Sequence, residues 1–388
     1  MKTKIGILTF HRSYNYGAFL QCYSLTNKIK EFFKNCEVEV IDYTTKSTFV
    51  NYRRDLLNWR RNIKNPKSFF QIQRRNRLLS GFPEKLPLSP VKIVDDKFDG
   101  LFEMIKERYD VVIVGSDAVW NWELRGLPNA YFLHGDLSVY KMSYAASLYG
   151  IDYQTLTEPQ KGYLKECLQD FRFVGVRDEA TMDMVKTISG REDGHHCCDP
   201  TVVLDLSTLE VDIEQLKRKM EKTGVDFTKP LIGMMAGEHI GREIRERYGD
   251  THQIVAVYSP NKFAHVFLDD LNPFEWAVVF SMFQVTVTHF FHATIFSLKN
   301  LTPVICIEHE NAYKRKYDTK ICDLLKRLGL EEFYFHLDTD YSEVYSAIDK
   351  YCVAPPREKI KQALLKEAES YQAFEVELKK VVQSCERS

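Results

Sequence analysis

The feature that most constrains this chain is an alternation of apolar runs of strand length with longer segments of helix length. KIGILTF from Lys4, VEVIDY from Val38, DVVIVG from Asp110, YKMSYAAS from Tyr140 and FRFVGVR from Phe171 make one such series. Short apolar runs separated by helix-length stretches predict parallel sheets built from βαβ units, and therefore an α/β fold. Beyond CDPTVVLD, Cys198 to Asp205, the pattern restarts with PLIGMMAG, HQIVAVYS, FQVTVTH and TPVICIE. The Asp199-Pro200 pair marks the break, because a residue before proline is pushed out of helical conformation. At 388 residues the chain also exceeds what one hydrophobic core usually organises. The expected division is an N-terminal domain over 1–200, with a basic helical insertion at about 46–80, and a C-terminal domain over 201–388. The charged, helical tail from Arg357 to Glu386 is expected to cross back to the first domain.

Several classes fall away. No run of about 18 apolar residues is present, so no transmembrane helix is expected. Met1 and two lysines lead into a strand-like run with no small-residue cleavage site, so a secretory signal is not expected and the cytoplasm is the default compartment. Nine cysteines without a repeated spacing fit reduced thiols better than a disulfide framework. HHCCDP, His195 to Pro200, resembles a metal site only superficially: neighbouring side chains on an extended strand point to opposite faces, and zinc spacings put residues between ligands. No metal is expected. Net charge is −1, so attraction to polyanions has to be local. The local candidate is Asn51 to Arg77, with nine Lys or Arg and only Asp55 as an acid, interleaved with Trp59, Phe69 and Phe70. It reads either as a solvated helical face or as a peripheral contact with an anionic membrane surface, at the inner face of the membrane. No nucleic-acid motif accompanies it, and no nucleic-acid partner is expected.

Ligands of open parallel sheets gather at the carboxyl ends of strands, which gives weight to four loops. HRSYNYGAF contains Arg12, Asn15 and Gly17 before a helix whose first N–H groups could hold an anion. The plain alternative is that Asn15 caps the helix and Gly17 permits close packing. VIVGSDAVWN ends a buried strand in Gly115, Ser116 and Asp117, where a ligand can approach the backbone and a carboxylate can accept hydroxyl protons or cap a helix. In GVRDEAT, Arg177 closes an apolar strand, a costly place for a guanidinium without an anionic partner. That partner is either Asp178, Glu179 or a bound anion. TVTHFFHATIFSLKN sets His289 and His292, then Ala293 and Thr294, at a strand-to-helix junction, suited either to proton transfer or to capping and core packing.

Taken in order, FHRSYNYGAFLQCYSL, VIVGSDAVWN, YAASLYG, VGVRDEAT, CDPTVVLD and FFHATIFSLKNLTPVI resemble the polysaccharide pyruvyl transferase family from Phe10 to Ile305. The resemblance implies two Rossmann-like domains facing a cleft, as in glycosyltransferases of the B type. It also implies transfer of pyruvate from phosphoenolpyruvate onto a sugar diol, giving a cyclic ketal in surface polysaccharide biosynthesis. Phosphoenolpyruvate is then a donor substrate, no cofactor is required, and the acceptor is a sugar or a lipid-linked oligosaccharide. By resemblance His292 transfers the proton and Arg177 binds the donor anion. Arg12, Asn15, Gly17, Ser116, Asp117, His289, Ala293 and Thr294 would surround donor and acceptor. The chain departs from the family in having Ala293 after the histidine and no arginine shortly before it, a role His289, Arg12 or Lys299 would have to fill. Two other readings remain open from sequence: a nucleotide-sugar glycosyltransferase, and a non-catalytic scaffold of a polysaccharide assembly complex.

Overall fold

The computed structural model describes residues 2–47, 66–308 and 317–386, so part of the basic stretch, residues 48–65, lies outside the described residues. The strands in chain order are β1 (Lys4–Leu8), β2 (Glu37–Val40), β3 (Tyr43–Thr44), β4 (Ile93–Val94), β5 (Val111–Val114), β6 (Tyr140–Ala146), β7 (Phe173–Val176) and β8 (His195–His196). They continue as β9 (Leu231–Met235), β10 (Gln253–Ala256), β11 (Val266–Phe267), β12 (Val285–Thr288), β13 (Val304–Ile307) and β14 (Tyr334–Phe335). Two six-stranded sheets result, ordered β2-β1-β5-β6-β7-β8 and β11-β10-β9-β12-β13-β14, and β3 pairs with β4 apart from both. Every neighbouring pair in the two large sheets is parallel. The central strands are apolar on both faces because helices cover both: Val111, Val112, Ile113 and Val114 are all fully buried, as are Val285 and Val287.

The sheet orders explain where a site can form. In the first sheet β1 lies between β2 and β5, and in the second β9 lies between β10 and β12. The crevice where successive connections leave in opposite directions is the ligand position of such folds. The loops after β1, β5 and β12 therefore matter most.

The halves meet through an aromatic seam. Tyr16, Phe19, Leu20 and Tyr23 recur on one stripe of helix Tyr16–Phe32, at the spacing that places side chains on a common face. Tyr16 stacks on Trp276 with ring centroids 5.1 Å apart, and its hydroxyl donates to the Leu271 carbonyl at 3.0 Å. Phe19 and Tyr23 pack against Phe274 at 5.9 and 5.0 Å. Helix Pro66–Ser80 adds a polar link, with Arg74 facing Asp269 and Asp270 at 3.5 and 3.1 Å.

The last helix, Tyr371–Cys385, returns to the first sheet. Phe374 lies 4.7 Å from the Tyr144 ring and 5.7 Å from that of Phe173, and Glu377 pairs with Arg172 at 2.8 Å. In the HHCCDP stretch, His195 stacks on Phe173, His196 faces Glu367 at 3.0 Å, and Cys197 and Cys198 are fully buried. These four side chains serve separate neighbourhoods. Among the described residues no helix is long and apolar enough to cross a membrane.

Candidate functional site

Arg177 follows β7 directly, and burial to 1% exposure makes its guanidinium dependent on anionic neighbours. Its Nη1 donates to Asp199 Oδ2 at 2.9 Å, its Nη2 lies 3.7 Å from Asp117 Oδ1, and its plane sits 4.6 Å over the Phe291 ring. Asp199 is itself held by Thr201, whose backbone N–H and hydroxyl donate to Oδ1 at 3.0 and 2.6 Å. His292, on helix Phe291–Lys299 of the second half, brings Nε2 to 3.6 Å from the same Asp199 Oδ2. Burial works against ionising Asp199, but the facing His292 and Arg177 outweigh it and hold the carboxyl below the usual range.

The imidazole of His292 rests on the first turn of helix Tyr16–Phe32. A Cβ on Gly17 would lie 2.1 Å from its Nδ1, so only glycine leaves room for the ring. Asn15 caps that helix, its Oδ1 accepting from the N–H groups of Gly17 at 2.8 Å and Ala18 at 3.4 Å. Loops after β1, β7 and β12 are thus joined around one carboxylate.

Above this cluster a cleft of about 530 Å³ opens, its lining including Asn15, Arg75, Asp117, Tyr149, Tyr258 and Lys320. Lys320 begins helix Lys320–Leu328, with Nζ 4.4 Å from the Tyr149 ring centroid and 5.3 Å from that of Phe291. Burial pushes its amine down; Tyr149 opposes that and Arg177 adds to it. Arg177 and His292 do not line this opening; Arg177 is linked to it through Asp117 and through the Phe291 ring that it shares with Lys320. Among the described residues Arg177 Nε makes no hydrogen bond, and Arg177 Nη2 and His292 Nε2 face Asp117 and Asp199 only at ion-pair distances of 3.7 and 3.6 Å. Leaving a buried polar group unpaired costs about 1–3 kcal/mol, more for a charged one. Such a cluster is better satisfied with an anionic or hydroxylic ligand in place.

The structure therefore gathers Arg177, His292, Asp117 and Asn15, and it removes several other residues from direct contact with a ligand. Arg12 is committed elsewhere: Nε and Nη2 clamp both oxygens of Asp42 at 2.5 and 2.6 Å, and Nη1 reaches Glu84 at 3.1 Å. Ser116 is fully buried and donates to Gln21 at 2.6 Å, below the loop rather than into the cleft. Gly17 faces the histidine ring and leaves no space for substrate. Ala293 is core, and Thr294 spends its hydroxyl on the Phe290 carbonyl at 3.1 Å. His289 stacks on Phe290 with centroids 4.5 Å apart and does not line the cleft. Lys299 donates to the Val202 carbonyl at 2.7 Å, at the far end of its helix. Neither Arg12 nor Lys299 replaces the missing arginine; among the described residues Lys320, Arg75 and Arg125 are the cations that line the cleft, and Lys320 shares the Phe291 ring with Arg177.

Two residues escaped the sequence reading. Asp199 looked like punctuation before Pro200, although its place in the ordered motif CDPTVVLD was a usable signal. Lys320 lies in a stretch with no motif.

Comparisons with known proteins follow the same lines. A family model described as polysaccharide pyruvyl transferase matches residues 15–311. No curated protein matches. Among solved structures, UDP-GlcNAc 2-epimerase from Neisseria meningitidis bound to UDP-GlcNAc is 12% identical, covering 98% of this chain and 100% of the other, with a TM-score of 0.57. UDP-GlcNAc 2-epimerase from Methanocaldococcus jannaschii, in complex with UDP-GlcNAc and UDP, is 13% identical over 92% and 94% of the two chains, with a TM-score of 0.52. Anabaena HepE in complex with UDP is 9% identical and covers 100% of both chains, with a TM-score of 0.52. At these identities the likeness concerns the fold: two Rossmann-like domains in the arrangement of B-type glycosyltransferases.

Proposed function

We propose, from the premise that the chain belongs to the polysaccharide pyruvyl transferase family, that it moves pyruvate from phosphoenolpyruvate onto two hydroxyls of a sugar as a cyclic ketal. The observation that carries the reading is the convergence of buried Arg177 and His292 on Asp199, linked through Asp117 and Phe291 to a cleft that contains Lys320. The donor has a carboxylate and a phosphate, and Arg177 and Lys320 supply the matching positive charge.

A proton adds to the methylene carbon of the donor, and the adjacent carbon becomes oxocarbenium-like. One sugar hydroxyl attacks that carbon and loses its proton. The bond from the same carbon to the phosphate oxygen breaks with its electron pair staying on oxygen, the second hydroxyl attacks that carbon to close the ring, and its proton leaves with the inorganic phosphate. His292 Nε2, placed 3.6 Å from Asp199, holds and delivers the proton, and Asp199 stabilises the imidazolium. Asp117, on the cleft wall with its carboxylate already accepting from the Ala118 N–H at 2.8 Å, is placed to accept from an acceptor hydroxyl.

Phosphate release from phosphoenolpyruvate in the presence of a panel of pyranosides, with mass gain of the sugar, tests the reading. His292→Gln is expected to lower kcat about 10²- to 10⁴-fold with little change in donor KM. Lys320→Gln is expected to raise donor KM about 10- to 100-fold, the loss of one charge-assisted contact. Wild-type kinetics in the His292 variant would remove its role. Release of a nucleoside diphosphate from a nucleotide sugar, with no phosphate from phosphoenolpyruvate, would instead favour glycosyl transfer, a reading supported by the UDP held in HepE.

A further inference from the structure

We propose that the outer faces of helices Pro66–Ser80 and Ile213–Thr223 form one docking surface for an anionic phospholipid bilayer. Lys67, Phe70, Arg74 and Arg77 follow one another at three- and four-residue steps along the first helix, a spacing that puts them on one face. Phe70 is 69% exposed there, a large ring held out in solvent between cations. One turn further on, Arg74 enters a surface pocket of about 380 Å³ that it shares with Arg218, Lys219 and Lys222 around Asp270.

The charges of this pocket are unequally used. Lys219 donates to the Asp270 carbonyl at 2.5 Å and to Glu275 at 2.8 Å, and Arg74 faces Asp269 and Asp270. Arg218 and Lys222 are exposed, one helical turn apart, and have no ion pair among the described residues. An aromatic anchor beside exposed cations suits the headgroup region of a bilayer, where a ring enters the acyl boundary and each cation gains from the negative surface potential. A protein of net charge −1 has no overall field to produce such attraction, so it belongs to this face. The same helix turns Arg75 and Asn76 inward to the cleft, so docking would hold the cleft beside the bilayer; its use there on a lipid-linked acceptor rests on the transferase reading.

Sedimentation with vesicles of neutral phosphatidylcholine, and of phosphatidylcholine with phosphatidylglycerol, tests the surface without turnover. The full chain is expected to bind the anionic vesicles at low salt and to leave them as salt rises. Each cation is worth about fivefold in partitioning, so Arg218→Gln with Lys222→Gln should weaken binding about 25-fold with an unchanged thermal midpoint. Phe70→Ser should weaken it independently. Equal retention by neutral vesicles, undiminished binding by the double variant, or tighter capture by double-stranded DNA than by the anionic vesicles would overturn the proposal. Phosphate release with a water-soluble acceptor reports separately on the cleft, so failure of one reading leaves the other measurable.

Discussion

At the scale of single residues, the contact between Gly17 and His292 sets the geometry of the site. Because a Cβ on Gly17 would fall 2.1 Å from Nδ1, Gly17→Ala has to push the ring off its seat or part the two halves. Positioning errors of about 1 Å can cost a hundredfold in rate. The variant is expected to lose about that much in kcat while retaining most of its donor affinity; an unchanged kcat would show that the seat is not needed. Both residues stand out in the sequence, Gly17 for room at a helix start and His292 for its strand-to-helix junction. Their meeting does not, because it joins positions far apart in the chain. Of the two readings of Gly17 from sequence, room for a ligand and close packing, the second holds: the space is filled by an imidazole. Asp199 shows the reverse failure: a sequence-local reading explains it fully as a turn before proline, and only the fold reveals that Arg177 and His292 share its carboxylate.

At the scale of elements, the returning helix Tyr371–Cys385 fastens the end of the chain to the first sheet through Phe374, which is fully buried among Tyr144, Phe173 and Tyr371. Phe374→Ala removes a large buried ring and is expected to destabilise the protein by about 3–5 kcal/mol in denaturant unfolding. A change below about 1 kcal/mol would mean that the tail is a passive cover. The apolar period announces this helix, and the long central strands announce themselves by composition. The pairs β3 and β4 and the edge strands β8, β11 and β14 have two residues each, too few to carry a period. They exist because an adjoining strand offers them backbone partners, which is tertiary information.

At the scale of the whole molecule, two buried carboxylates contribute to behaviour in acid. Burial alone would raise the Asp42 carboxyl, but hydrogen bonds from Arg12 and His11 hold it below its ordinary range, and Asp199 is depressed in the same sense by His292 and Arg177. At these two groups the folded state therefore binds fewer protons than the unfolded state. This stabilisation is present above about pH 4, where the unfolded carboxyls are ionised, and is lost as pH falls toward the folded values. Asp42→Asn should cost about 1.5–3 kcal/mol at pH 7 and flatten the decline below pH 4; a parallel decline in both proteins would exclude this cause. Two parallel-sheet halves are legible in the pattern of apolar runs, whereas the seam that joins them is not, since Tyr16 and Trp276 carry no mark of their pairing. That seam has a practical consequence. His292, the residue proposed to carry the proton, is borne by one half and seated on the other, so a small molecule that wedged itself between the Tyr16 and Trp276 rings would unseat it without entering the cleft. Inhibition of this protein need not be competitive with any substrate.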